Sequence, residues 1–420
     1  MSQDTLSLHY RKPLKREGFF GVMNISHVFI FFVFLFLFST LFDPADKVFG
    51  LKLPLYLSCW GLGLVVCLAA RREIKIPYML LIYVSLMVGI PAISIVYYYS
   101  SNGSDPNKCF ELFKAYLFIS FSFLLYITRI NILKYLCGAL TVLAALILIL
   151  AAIVLTFPEL YAPSYLLGEE LGIFSIDKGR DYGSDVVMFQ MYFVTSPMLA
   201  ISISYYFDLA KTSMKNRGFF AVLTLFHICA MIVAGSRNNI LAAIILPIAL
   251  FVMYSKNKMR SAILIALLTG FLVIIWFNEI SAIFDPSETS NSSKLIMLKD
   301  YMSILSNPIK LFFGSGLGAY EHWTDKGYTY ITELTYLEVI RNFGLLLGGL
   351  MILLLIYPIL YAFILRPNFK EKKIILGYAA YLVMCISNPN LFSSMGMMFL
   401  AIIMVKIATY EVDARRLGYQ

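Results

Sequence analysis

Apolar stretches long enough to cross a bilayer recur from near residue 24 to residue 410, separated by short polar breaks. A bilayer core takes about 20 apolar residues per helix, and a backbone in lipid must satisfy its own hydrogen bonds. Helices are therefore the expected spanning form. The stretches lie near 24–42, 51–70, 77–99, 112–127, 132–156, 185–208, 218–234, 240–255, 261–279, 336–365, 373–388 and 391–410. This predicts an all-α, polytopic membrane protein of about twelve transmembrane helices, with residues 1–420 forming a single integral membrane domain. The chain is 60% hydrophobic and only 14% charged, where a soluble domain carries about 25%. A large soluble domain has no room.

Basic residues sit in alternate connections: Arg11–Arg16, Arg71–Lys75, Arg129–Lys134, Lys211–Arg217, Lys256–Arg260, Arg366–Lys373 and Arg415–Arg416. With twelve helices all seven fall on one side, which the positive-inside rule makes cytoplasmic, both termini included. The net charge of +9 is explained this way, without nucleic acid as partner. Two long loops then fall outside, 157–184 and 280–335, the second large enough to carry short helices. Long loops in compact proteins are usually functional. Tyr97, Tyr98 and Tyr99 fit an interfacial aromatic belt. Six cysteines show no paired or Cys/His spacing, so neither a disulfide framework nor a metal site is expected. Arg11–Arg16 followed by the apolar run Ile25–Phe42 reads as an uncleaved first helix.

Three outer-side arginines run against the charge bias: Arg180, Arg237 and Arg341. Arg237 lies in Ala-Gly-Ser-Arg-Asn-Asn, a tight turn between two short apolar stretches. If Asn238 or Asn239 caps the next helix, Arg237 stands beside a helix N-terminus, where phosphate binds well. The alternative is an arginine snorkelling to lipid phosphates. Arg180 is flanked by Asp181 and Asp185; Asp185 reads as a helix cap, and an Arg180–Asp181 ion pair is the plain alternative. Arg341 follows Glu338 by three residues, a spacing that also makes a surface salt bridge.

The large loop holds Phe-Phe-Gly-Ser-Gly-Leu-Gly, then His322, Glu333 and Glu338. Gly314, Gly316 and Gly318 allow either an anion-binding nest or a flexible loop. Glu333, His322 and Glu338 are candidates for acid–base work, and helical spacing sets Glu333 within about a quarter turn of Arg341. A solvated His322 is the plain alternative. His227, inside an apolar stretch, reads as an interhelical contact.

With these residues on the page, the chain resembles the Wzy O-antigen polymerases and their O-antigen ligase relatives. The likeness rests on Gly-Ser-Arg-Asn-Asn at an outer turn, on Phe-Gly-Ser-Gly-Leu-Gly, and on Tyr-Leu-Glu-Val-Ile-Arg-Asn-Phe-Gly-Leu-Leu-Leu-Gly opening a helix. It spans about residues 180–365. The resemblance implies a metal-independent glycosyltransferase without cofactor at the outer, periplasmic face of the bacterial inner membrane. Its donor is a glycan on undecaprenyl pyrophosphate, joined into a surface polysaccharide. It implies Arg237, with Arg180 and Arg341, as pyrophosphate ligands, membrane lipid as surroundings, and a chain-length regulator as partner. Ligases carry a histidine where this chain has Glu333, and His322 lies too far upstream. That departure favours polymerase over ligase. A lipid-linked oligosaccharide flippase would instead carry charges in mid-membrane, where these stretches are poor in them.

Overall fold

The computed structural model describes residues 19–44, 46–70, 75–102, 106–181, 187–257, 259–261, 263, 267, 270, 289–325, 327–330 and 332–416. Eight helical spans among them are long and apolar enough to cross a membrane. They lie in α1 (Phe19–Phe42), α2 (Lys52–Ala69), α3 (Tyr78–Asn102), the nearly continuous pair α4 (Pro106–Leu117) and α5 (Phe121–Thr128), and α6 (Ile132–Thr156). The others are α10 (Arg237–Tyr254), α13 (Thr335–Leu360) and α15 (Ser394–Arg416). Each coincides with an apolar stretch of the sequence. Residues 394–404 of α15 are buried without interruption, which places this methionine-rich helix at the centre of the bundle.

Four predicted spans turn out otherwise. Residues 218–234 form α9 (Arg217–Val233), and 373–388 form α14 (Lys372–Met384) and a single tight turn; both helices are short. Most of 261–279 lies outside the described residues. The stretch 185–208 is not one helix. Its first half is a strand, β2 (Val187–Phe193), and only α8 (Leu199–Thr212) is helical. Pro197 in the 3-10 turn Ser196–Met198 explains the break: it lacks an N–H and biases the preceding residue away from helix.

The two long loops also hold strands that an all-α reading does not allow. Residues 157–184 hold α7 (Tyr161–Leu171) and β1 (Phe174–Asp181), which pairs antiparallel with β2. Residues 280–335 hold α11 (Thr289–Leu305), α12 (Pro308–Phe313) and the small hairpin β3 (Glu321–Trp323) with β4 (Gly327–Thr329). Asp185, read as a helix cap, lies outside the described residues.

The two ends of the bundle are chemically distinct. At one end Lys373 of α14 pairs with Asp208 of α8 at 2.9 Å, and Tyr254 of α10 donates to the same carboxylate. Arg366 pairs with Glu411 at 3.0 Å, and Lys406 with Glu371 at 3.6 Å. The sixth and tenth connections and the tail therefore meet, as the alternation of basic residues requires. Both long loops gather at the opposite end. Single cysteines on a cysteine-free background test which end faces out. Lys299→Cys is expected to react with an impermeant maleimide on intact cells, and Asn257→Cys is not; the reverse pattern rejects the orientation.

Helix α13 is broken at Gly344, whose φ is +71 and ψ +177. Residues 312–317 cross the helix at the break. Ser315 N donates to Arg341 O at 2.6 Å, Gly316 N to Asn342 O at 3.1 Å, and Leu317 N to Ser94 Oγ at 2.9 Å. The first two bonds satisfy carbonyls that the break would orphan. A side chain at Gly344 would collide with the Phe312 carbonyl, and one at Gly316 with Tyr98. The glycine-rich run is thus neither an anion nest nor a loose loop. It is a close-packed seam, and its amides are used inside the protein.

Candidate functional site

The segment Gly235–Asn239 has a job for each residue. Gly235 has φ +69, and a Cβ there would strike the buried Gln190 of β2. Ser236 is the N-cap of α10: its backbone is extended, and its Oγ accepts from Asn239 N at 3.2 Å. The cap is therefore Ser236 and not Asn238 or Asn239. Asn238 Nδ2 donates to Met384 O at 3.2 Å and to Ser387 Oγ at 2.7 Å. Asn239 Nδ2 donates to Ser196 Oγ at 2.9 Å. Two asparagines thus lock the helix start against its neighbours and leave Arg237 as its first residue. Half-buried Arg237 donates through Nη1 to Asn291 Oδ1 of α11. A guanidinium is thereby held at a helix N-terminus, under the large loop. Both features favour an anion.

The segment Met384–Asn390 joins this corner to a second one. Thr335, the first residue of α13, donates through Oγ1 to Asn388 O at 2.7 Å, and its N donates to Glu333 O at 3.0 Å. Tyr336 donates to Leu382 O at 2.8 Å. Asn390 Nδ2 reaches Val194 O at 2.8 Å and the Tyr192 hydroxyl at 3.2 Å. Burial pushes the Tyr192 phenol up to about 12, and the charge of nearby Glu333 adds to the rise. Tyr192 is therefore a neutral hydrogen-bonding group beside Glu333 at physiological pH. Glu333 is half-buried and precedes the helix, so it does not share a helical face with Arg341 as the spacing predicts. The starts of α10 and α13, the end of α14 and the strand β2 all converge here. Sequence reasoning missed Asn291, Tyr192, Asn388 and Asn390; Ser-Asn-Pro-Asn at 387–390, a polar turn between apolar stretches, is the signal for the last two.

Glu338 and Arg341 are together but turned inward. Arg341 is 0% exposed and Glu338 6%. Arg341 Nε donates to Glu338 Oε2 at 3.0 Å, and Nη2 to the other carboxylate oxygen. Nη1 donates to Ala319 O at 3.2 Å and Nη2 also to Tyr330 O at 2.9 Å. Glu338 further accepts from Tyr301 at 2.7 Å, from Asn342 at 3.1 Å and from Thr332 at 3.3 Å. Trp323, fully buried, stacks edge-on against Tyr301 at 4.7 Å and lies beside the guanidinium. Burial and the Glu338 carboxylate hold the Tyr301 phenol well above its ordinary pKa, so it donates. This corrects two expectations. The carboxylate proposed as a base is saturated by donors, and the arginine proposed for pyrophosphate is spent on pinning the large loop to α13. The pair is no surface salt bridge either.

His322 stands on the exposed side of β3, while Trp323 beside it turns into the clamp. Arg180 is in β1, opposite Met188 in register; its side chain lies outside the described residues. Among the described residues no three His, Cys, Asp or Glu cluster as metal ligands would. His227 bonds Leu223 O at 2.7 Å and lies 3.3 Å from Thr141 Oγ1, a packed interhelical histidine.

The fold and this corner define a many-pass helical membrane protein with polar groups converging at one end of its bundle. No family model matches the chain, and no curated protein and no solved structure is similar to it.

Proposed function

We propose that the chain is a polysaccharide polymerase. It joins oligosaccharide repeat units carried on undecaprenyl pyrophosphate into O-antigen at the outer face of the bacterial inner membrane. The observation that carries this reading is Arg237, fixed as the first residue of a capped helix and joined to the Glu333 corner through Ser387–Asn390. The sequence resemblance supplies the substrate class, and the segregation of basic connections supports the orientation.

In the proposed reaction the acceptor hydroxyl oxygen attacks the anomeric carbon of the donor sugar. The bond from that carbon to the pyrophosphate oxygen breaks, and the pyrophosphate departs with the electron pair. Arg237 and the N-terminus of α10 stabilise the growing negative charge; arginine does so through paired hydrogen bonds. Glu333 takes the proton of the acceptor hydroxyl. Arg341 and Glu338 act at one remove, by fixing the strand ends and the segment leading to Glu333. A chain-length regulator and lipid remain the proposed partners.

Deleting the gene and separating surface glycolipids by electrophoresis tests the class. The long-chain ladder is expected to vanish while species with one repeat unit persist. Loss of all capped species with lipid-linked polymer retained means ligase, and an unchanged ladder removes the proposal. Within the site, Glu333→Gln keeps shape and removes the base. It is expected to slow chain extension by about 10²–10⁴-fold with unchanged protein abundance and thermal midpoint. Near-normal turnover would pass the role to His322, checked with His322→Ala.

A further inference from the structure

A second surface near the clamp has the chemistry of a sugar subsite. Tyr320 and Tyr330 stack with ring centroids 4.5 Å apart and planes 29° apart. The Lys108 ammonium stands 5.5 Å from the Tyr330 centroid, so Tyr330 is engaged by two neighbours. Tyr320 is the ring presented to the surface, at 51% exposure. Next to it Glu321 pairs with Lys310 at 2.8 Å, and both side chains are partly exposed. A second ion pair, Lys108–Glu111 at 2.8 Å, lies behind Tyr330.

The support is unusually firm for a loop. The buried Arg341 guanidinium holds Ala319 O, one residue before Tyr320, and also Tyr330 O. One cation therefore fixes the chain on either side of the hairpin, where the aromatic pair sits. A ring held in advance loses little freedom on binding.

A pyranose ring has a face of C–H groups and a rim of hydroxyls. The electron-rich face of a tyrosine attracts the first, and charged neighbours bond the second. A ring meant for lipid would stand among apolar side chains, as the exposed Ile309, Phe312 and Phe313 of α12 do. Tyr320 instead stacks on a ring that carries the Lys108 ammonium. We propose that Tyr320, stacked on Tyr330 beside the Lys108 ammonium, is a binding platform for a neutral pyranose ring of the glycan. The choice of ligand rests on the polymerase reading; the platform geometry does not.

Saturation-transfer NMR on the full-length protein in nanodiscs tests it. The probes are the methyl pyranosides of glucose, galactose, mannose and N-acetylglucosamine. Wild type is expected to transfer saturation to the ring C–H protons of at least one probe. Tyr320→Ala is expected to weaken that binding roughly three- to tenfold at an unchanged thermal midpoint, and Tyr320→Trp to preserve it. No transfer to any probe, or equal transfer in Tyr320→Ala, overturns the platform. So does strong quenching of the Tyr320→Trp emission by brominated lipid, which would place the ring in the bilayer. The two readings fail separately. Sugar binding lost in Tyr320→Ala alongside normal polymer from Arg237→Ala leaves the platform and removes the polymerase site; the opposite pattern removes the platform alone.

Discussion

Arg341→Met is expected to lower the unfolding free energy by about 3–5 kcal/mol, the usual cost of stripping one partner from a buried ion pair. The reason is the company Glu338 keeps. The residue is 6% exposed, and its carboxylate is balanced by one guanidinium with only neutral donors besides. Removing the cation leaves a buried charge, and two loop carbonyls, Ala319 O and Tyr330 O, lose their donor. The large loop should loosen from α13 first, because the lost bonds are the ones that cross to it. The double variant Arg341→Met with Glu338→Leu removes both charges and is expected to recover most of the loss. Chemical unfolding in detergent reads both, followed by Trp323 emission in a background where Trp60 and Trp276 are replaced by Phe. A single variant within about 0.5 kcal/mol of wild type would mean that the pair is not the clamp described.

Arg237→Ala is expected to reduce polymer formation by about 10²–10³-fold, equivalent to about 2.7–4 kcal/mol of transition-state stabilisation. Arg237 lies half-buried, at the start of a helix capped by Ser236. The helix itself is anchored by Asn238 and Asn239, so losing the guanidinium leaves the backbone in place. Protein abundance and thermal midpoint should therefore stay near wild type. Arg237→Lys keeps the charge and loses the planar fork, and is expected to restore only part of the activity. Chain extension measured against protein level in membranes checks both. Full activity in Arg237→Ala rejects the assignment.

The membrane-spanning helices were legible because apolar runs of sufficient length have few alternatives in lipid. The strand β2 was not, since a short apolar run such as Val-Met-Phe-Gln-Met-Tyr-Phe fits strand or helix equally; Pro197 was the available clue. The tight turn at Arg237 is visible in sequence, but its cap is neither of the asparagines that follow. Ser236 has the capping geometry, and the two asparagines are consumed by contacts to segments 43 and 146 positions away. Spacing brought Glu338 and Arg341 together and pointed to the surface. Their burial depends on Tyr301, Thr332, Ala319 and Tyr330, none of which a local pattern reveals. The glycine-rich run reads in sequence as an anion nest or a flexible loop, and the structure packs it as a seam instead. What it packs against, the broken turn of α13 at Gly344, is a tertiary fact.

The most direct measurement is a reaction of the purified protein in proteoliposomes with undecaprenyl-pyrophosphate-linked repeat units as sole substrate. Electrophoresis would follow the glycan, and phosphate chemistry the free lipid pyrophosphate. The account predicts lipid-linked oligomers of two or more repeats, one undecaprenyl pyrophosphate released per bond formed, and loss of both products in Arg237→Ala. Repeat units left unjoined by well-folded protein, or equal product from Arg237→Ala, would contradict it.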